Sequence, residues 1–516
     1  MSLQESPFAN QLNTNFVPSD AEVLSIRAFL VPHEVQLARL DEEIEATKIA
    51  LIRLQHQRAS LSEPIDAHKA LISLVRRLPE DILMTIFSFC LPSTHNALID
   101  PAEAPLLLGR ICRHWRSVAY SNPIIWSSIH IPCTSRISCA ALQKLGKVVE
   151  AWLERSASCS LDVSVLMQTP EHDDALSDAR KLFSQILQVS PRLRSFEVAP
   201  DSRFLREDFP LLQLGPEGLP CLRILGFDSP ESYEFNDPAA LTALLRVPTL
   251  KEVSLCLTCT FNPLELPLNW TQLTRLRLEC FPALLDNGNW DGGLSGRDTF
   301  NVLQMCQNLV WCKFQMTAPS ADGGGPFTDG TLTLPNIQTL ILSGLILHRW
   351  ACRFVAPKLR YVQIGHFNPP NVQVDDEDTA AVLDVGYFTT PSLEEFLRCF
   401  PAISYLHLYK AVYAQTEGVL DDMFLERFYT PNDLCPRLNR IFIDMRAAPK
   451  FSDGAVLEFI RARMAMQPPL QEIQIQFTRW MEVDIMPELQ PYIAEGLQVA
   501  LQYTSQPGVN VRAGLP

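Results

Sequence analysis

Apolar residues fall into three patterns along the chain, and each predicts a different kind of element. Over residues 19–65 they repeat every seven positions: Val23, Leu30, Leu37, Ile44, Leu51 and Ile65 at one register position, and Ile26, Leu40, Leu54 and Leu61 at the other. His33, Thr47 and Arg58 interrupt this seam. Ser19-Asp20 predicts the cap of a short helix to Leu30, and a second helix over 32–62 stops ahead of Pro64. A heptad run of this length suits a coiled coil, and it suits equally an amphipathic helix laid against a neighbouring domain. Residues 1–18 are polar with scattered proline and are expected to be disordered.

The second pattern covers 78–131. Pro79 suits the first position of a helix, where a missing N–H costs nothing, and Glu80 and Asp81 suit the positive end of the helix dipole. Ile82, Leu83, Ile86, Phe87 and Cys90 then form a stripe wide enough for two neighbours, ended by Leu91-Pro92. A second helix opens near Pro105 and carries Leu108, Ile111, Cys112, Trp115, Val118 and Ala119 on one face. It ends at Asn122-Pro123, and Trp126 follows on an extended segment. A unit this small buries little of its own surface, and two stripes this wide leave apolar area over, which predicts a partner site.

The third pattern occupies the rest of the chain. After a helix over 141–155, a strand over 161–165 and a helix over 174–189, the unit apolar-x-x-apolar-x-apolar begins to recur. It starts at Leu193, Leu222, Leu250, Leu273, Leu309, Ile337, Leu359, Ile403, Leu438 and Leu470, with 22 to 44 residues between starts. Helical segments over 238–246, 299–307, 392–400 and 453–466 lie between copies, and 286–296, 320–330 and 368–379 read as surface loops. Strand, loop and helix repeating in this way predict stacked parallel strands with two apolar residues per strand in the core.

The run Leu78-Pro79-x-x-Ile82-Leu83-x-x-Ile86-Phe87, then Ile111-Cys112-x-x-Trp115-Arg116 and Pro123-x-x-Trp126, resembles the F-box family. The connection over 93–104 is longer than that family's norm. The resemblance implies docking on the small Skp-type adaptor of a cullin–RING ubiquitin ligase through Leu78, Pro79, Ile82, Leu83, Ile86, Phe87, Ile111, Cys112, Trp115 and Trp126, with the cullin reached through the adaptor. The repeats resemble the irregular leucine-rich repeats of many F-box proteins, particularly those abundant in mushrooms, although they lack the Asn or Cys that usually turns the chain after the strand. The expected fold is therefore α/β: an N-terminal helix or coiled coil over 19–65, a small all-α F-box over 73–131, and an irregular leucine-rich-repeat solenoid with parallel strands over 140–516.

Charge and cysteine usage narrow the function classes. A net charge of -15 argues against a general nucleic-acid or anionic-membrane binder. The 14 cysteines have no framework spacing and many sit in apolar runs, as reduced thiols do. The longest apolar run, 340–347, is too short to span a bilayer, and the start Met1-Ser2-Leu3-Gln4-Glu5 is not a signal peptide. These features predict a cytoplasmic or nuclear protein.

No motif for chemistry is present in the sequence. Cys256-x-x-Cys259 has no second pair at zinc spacing, and Asp375-Asp376-Glu377-Asp378 fits no calcium loop. No catalytic residue, metal or cofactor is assigned. The outward positions of the predicted strands are more informative: Arg275 and Arg277, Trp311 and Lys313, Tyr361, Tyr405 and His407, Arg440 and Phe442 form a basic and aromatic ladder in an acidic chain. Arginine and aromatic side chains carry much of the energy at interfaces, and paired arginines suit carboxylate or phosphate. The expected function is a non-catalytic substrate receptor that feeds a target protein to ubiquitin-dependent degradation. The alternative is a ligase-independent scaffold that oligomerises through residues 19–65.

Overall fold

The computed structural model describes residues 6–168, 173–200, 214–229, 243–259, 263–284, 290–317, 331–344, 353–365, 378–411, 420–429 and 434–504. The loops expected over 320–330 and most of 368–379, and much of the helix expected over 238–246, lie outside them. The chain divides into two compact units, Met1–Thr85 and Ile86–Pro516.

The first unit is dominated by one helix, Asp20–Leu71, of 52 residues. The hydroxyl and N–H of Ser19 both donate to the Glu22 carboxylate, at 2.6 and 2.8 Å, and so close its N-terminus. The expected break before Pro32 and stop before Pro64 do not occur, since both prolines lie inside the helix. A proline removes one intrahelical N–H and displaces one carbonyl, and the good helix formers on either side carry the winding across that local loss. At Pro32 the His33 ring also takes up a carbonyl of the loosened turn, with Nδ1 2.9 Å from the Phe29 oxygen. A short 3₁₀ turn, Leu74–Arg77, precedes the helix Glu80–Phe89.

In the second unit, fourteen parallel strands lie side by side in sequence order, from Ser128–Cys133 to Gln498–Gln502. Nine of the ten repeat starts lie two residues before a strand of this sheet, and the tenth, Leu193, opens one. The register makes two continuous inward rows. One runs Ile129, Val163, Phe196, Leu225, Val253, Leu276, Cys312, Leu340, Val362, Ala381, Leu406, Ile441, Ile473 and Val499. The other lies two residues further along each strand, and both rows are buried except at the last strand. Helices Cys139–Arg155, Asp173–Gln188, Gly296–Met305, Thr390–Cys399, Asp453–Met464 and Met486–Ala494 return the chain to the start of a following strand. The arrangement is α/β and solenoid-like.

The sheet begins earlier than residue 140. Its first strand, Ser128–Cys133, starts inside the range expected for the small helical domain. Its open edge is closed by the long connection that follows Glu80–Phe89: the His130 N–H donates to the Ala97 carbonyl at 2.8 Å, and Ser128 Oγ donates to Asn96 Oδ1 at 2.9 Å. The extra length of 93–104 therefore has a structural use, which is to satisfy edge groups that would otherwise face solvent unpaired. Trp126, 0% exposed, donates Nε1–H to the Ala119 carbonyl at 2.8 Å and meets Trp152 edge-on at 4.8 Å. The Arg155 guanidinium lies over the Tyr120 and Trp126 rings at 4.5 and 4.8 Å.

Candidate functional site

Two surfaces were expected to carry function, and the structure sorts their residues by exposure. On the helix Glu80–Phe89, Ile82 is 45% exposed, whereas Leu83 and Phe87 are 0% exposed. Pro79 and Ile111 are exposed, and Leu78, Ile86, Cys112 and Trp115 are half-buried. Leu83, Phe87 and Trp126, expected as docking residues, lie in the core of this structure. A side chain with no accessible surface offers a partner nothing, and a unit this small needs its largest side chains for its own interior. Phe87 packs on Trp115 with ring centroids 5.0 Å apart.

Cys112 has a backbone role that its place on the stripe did not announce. The expected second helix is broken there into Leu108–Ile111 and Arg113–Ser121, with Cys112 extended at φ −158° and ψ 171°. Its Sγ accepts the Trp115 N–H at 3.4 Å and caps the second piece, while Arg116 Nε donates to the Gly109 carbonyl at 2.6 Å across the break. Exposed apolar residues absent from the expected set are Phe89, 85% exposed, together with Leu107 and Ile124. Family spacing does not mark these positions, and only the folded surface identifies them.

The outward face of the sheet keeps the expected register: Arg275 neighbours Glu252 and Trp311, Arg277 neighbours Ser254 and Lys313, and Tyr405 and His407 neighbour Arg440 and Phe442. Its cations, however, are already partnered. Arg275 Nε lies 3.3 Å from Glu252 and its guanidinium 4.8 Å from the centre of the Trp311 ring. Arg277 pairs with Asp228 at 3.7 Å and with Glu279 at 2.6 Å, and Lys313 pairs with the same Glu279 carboxylate. Arg440 pairs with Asp378 and lies over Tyr405. The basic residues expected on this face are thus ion-paired in the structure.

Asp228 and Glu279 were missed because they occupy a third outward row, one residue beyond the end of the repeating unit. Glu279 is 5% exposed. Burial pushes its pKa up, but hydrogen bonds and charge from Arg277 and Lys313 outweigh this and hold it below the usual carboxylate range. His407 is likewise no cation at neutral pH. It is 5% exposed, meets Phe442 edge-on at 4.3 Å, and burial lowers its pKa to about 4. What remains accessible on this face is aromatic and polar: Trp311, Tyr361, Tyr405 and Phe442 are half-buried, with ion pairs between them.

Among the described residues no group of three or more His, Cys, Asp or Glu side chains could hold a metal ion, and no helix is long and apolar enough to cross a membrane. Burial raises the Cys133 thiol to about 11 and the Cys256, Cys306 and Cys435 thiols to about 12, so none of these is a ready nucleophile. Compared with known families, residues 75–132 match the F-box-like model. Comparison of the chain with curated proteins gave no match.

Proposed function

We propose that the chain is the target-binding subunit of a Skp–cullin–F-box ubiquitin ligase, with no reaction of its own. The observation that carries this reading is the F-box-like match at 75–132, directly followed in sequence by a long parallel solenoid. F-box domains bind Skp-type adaptors. Here that role would fall to Leu78, Pro79, Ile82, Ile86, Ile111 and Trp115, of which Pro79, Ile82 and Ile111 are exposed. The repeat sheet, read as irregular leucine-rich repeats of the kind abundant in mushroom F-box proteins, would hold the target on its outward face around Trp311, Tyr361, Tyr405 and Phe442. Rate enhancement would come from proximity, since a target held beside the ubiquitin-loaded enzyme reacts within one complex. This reading places the protein in the cytosol or nucleus.

Co-purification with a Skp-type adaptor tests the proposal. Wild type retains the adaptor, and the surface variants Ile82→Asp and Ile111→Asp lose it while their thermal unfolding stays unchanged. An adaptor that never binds the wild-type chain would remove the ligase role and leave the scaffold reading.

A further inference from the structure

The docking surfaces above make no use of the helix Asp20–Leu71, whose apolar seam is uncovered from Leu37 onward and half-buried at Val23, Ile26 and Leu30. Leu37, Leu40 and Ile44 are 60, 49 and 49% exposed, and Leu51, Leu54, Leu61 and Ile65 are 54, 61, 66 and 51% exposed. Long exposed rows of leucine and isoleucine at heptad spacing are normally closed by another helix.

The seam also reads almost the same in both directions. Counting outward from the point between Glu45 and Ala46, Ile44 stands opposite Thr47, Leu40 opposite Leu51 and Leu37 opposite Leu54. His33 then stands opposite Arg58, Leu30 opposite Leu61 and Ile26 opposite Ile65. Two copies of one helix running in opposite directions meet in this way, with each layer pairing the first register position of one with the second of the other. The polar interruptions His33 and Arg58 then share layers. In a parallel pair, Arg58 would face a second Arg58 and repel it.

The flanking charges agree with the same alignment. Asp41 and Lys48 follow successive second-position residues of the heptad, on the same side of the seam. Antiparallel pairing brings Asp41 beside Lys48 of the second copy, twice per dimer. Within its own chain Lys48 pairs with Glu45, both more than half exposed, an arrangement that leaves the ammonium accessible. Ile49 and Ile52 lie off the seam and stay in water.

We propose that Asp20–Leu71 pairs with the same helix of a second copy of this chain, as an antiparallel two-stranded coiled coil centred between Glu45 and Ala46. The contact is isologous, each helix using the same face. At 1.5 Å per residue the overlap approaches about 75 Å, so the two chains leave the pair from opposite ends. The inference stands independently of the ligase reading.

Sedimentation of the full chain over a concentration series tests it, with twice the 58.1 kDa chain mass expected. Both charged positions are on the surface, so substitutions there leave folding intact. Lys48→Asp places like charges at both flanking sites and weakens the dimer about tenfold, and Asp41→Lys does the same. The double swap Asp41→Lys/Lys48→Asp restores affinity to within about threefold of wild type. In a parallel dimer Asp41 faces Gln36 and Lys48 faces Glu43, so the swap would not rescue. A chain that stays monomeric, a larger assembly, a dimer indifferent to Lys48→Asp, or a defect that the swap fails to repair would each overturn the proposal.

Discussion

Replacing Asp453 with Asn should loosen the carboxyl-terminal end of the sheet far more than a change of one atom suggests. Asp453 is 1% exposed at the start of the helix Asp453–Met464, capped by Ser452. Its carboxylate accepts from the Arg479 guanidinium, from the Glu482 and Val483 N–H groups at 2.8 Å each, and from the Tyr503 hydroxyl at 2.9 Å. Arg479 in turn donates to the Phe451 carbonyl and lies over Phe477, which stacks on Tyr503 at 4.6 Å. An amide presents a donor to this ring of donors, so at least one contact becomes a clash and Arg479 loses its counter-charge. Hydrogen bonds to charged groups contribute about 1.5–3 kcal/mol each, and breaking a buried ion pair costs about 3–5 kcal/mol. A loss of about 3–5 kcal/mol is therefore expected.

Because a repeat array loses stability locally, the effect should concentrate in the last strands. Amide exchange at 498–502 should quicken while the strands near 193–200 keep their protection. The same carboxylate predicts an acid limb. Burial alone would raise its pKa, but Arg479, the two backbone amides and Tyr503 hold it below the ordinary value. Its stabilisation is thus complete above the unfolded value of about 3.9 and drains away as pH falls through the lower native value. Asp453→Asn should remove that limb. An Asn variant with wild-type exchange at 498–502 and a midpoint within about 0.5 kcal/mol would refute the reasoning.

Trp126→Ala should cost about 3–5 kcal/mol by urea unfolding, since it opens a cavity between Trp152 and Tyr120 and strips Arg155 of a ring. Leu83→Ala should cost about 2–5 kcal/mol, whereas Ile82→Asp, on the same helix, should stay within about 0.5 kcal/mol while abolishing adaptor capture. His407 stays neutral in the native state until about pH 4. The unfolded chain, with an ordinary imidazole, takes up a proton below about 6.5, so stability should fall across that window by on the order of 3 kcal/mol, and His407→Gln should flatten the slope. Trp311→Ala with Tyr405→Ala should weaken target binding without changing adaptor capture, which a two-partner pull-down can separate.

The repeating core was readable because its unit is local: three apolar residues at fixed offsets predicted ten strands and the correct outward face. Four strands of the sheet lie outside that rule: Leu161–Met167, read from its alternation alone, and Ser128–Cys133, Ala380–Asp384 and Gln498–Gln502, which were not expected as strands. Ala380–Asp384 is buried at all five positions, so it shows no alternation. In Gln498–Gln502 the apolar residues follow Leu497 at steps of two. The helix break at Cys112 was hidden because a thiol that caps backbone looks, in sequence, like one more apolar residue on a stripe. Cross-strand charge was the largest gap. Asp228 and Glu279 lie 49 and 34 residues from the Arg277 and Lys313 they neutralise, and only strand register brings them together.

The chain passes from Trp126 into the first sheet strand at Ser128 with no tether between, and residues 96–97 are stitched onto that strand. Under the proposed ligase reading, a receptor joined this way would not sweep its cargo through a sphere of orientations, as a flexibly tethered one does. Which lysines of a bound protein receive ubiquitin would then be dictated by where they fall on a fixed line of fire, so repositioning a single acceptor lysine on the target should matter more than adding extra ones elsewhere.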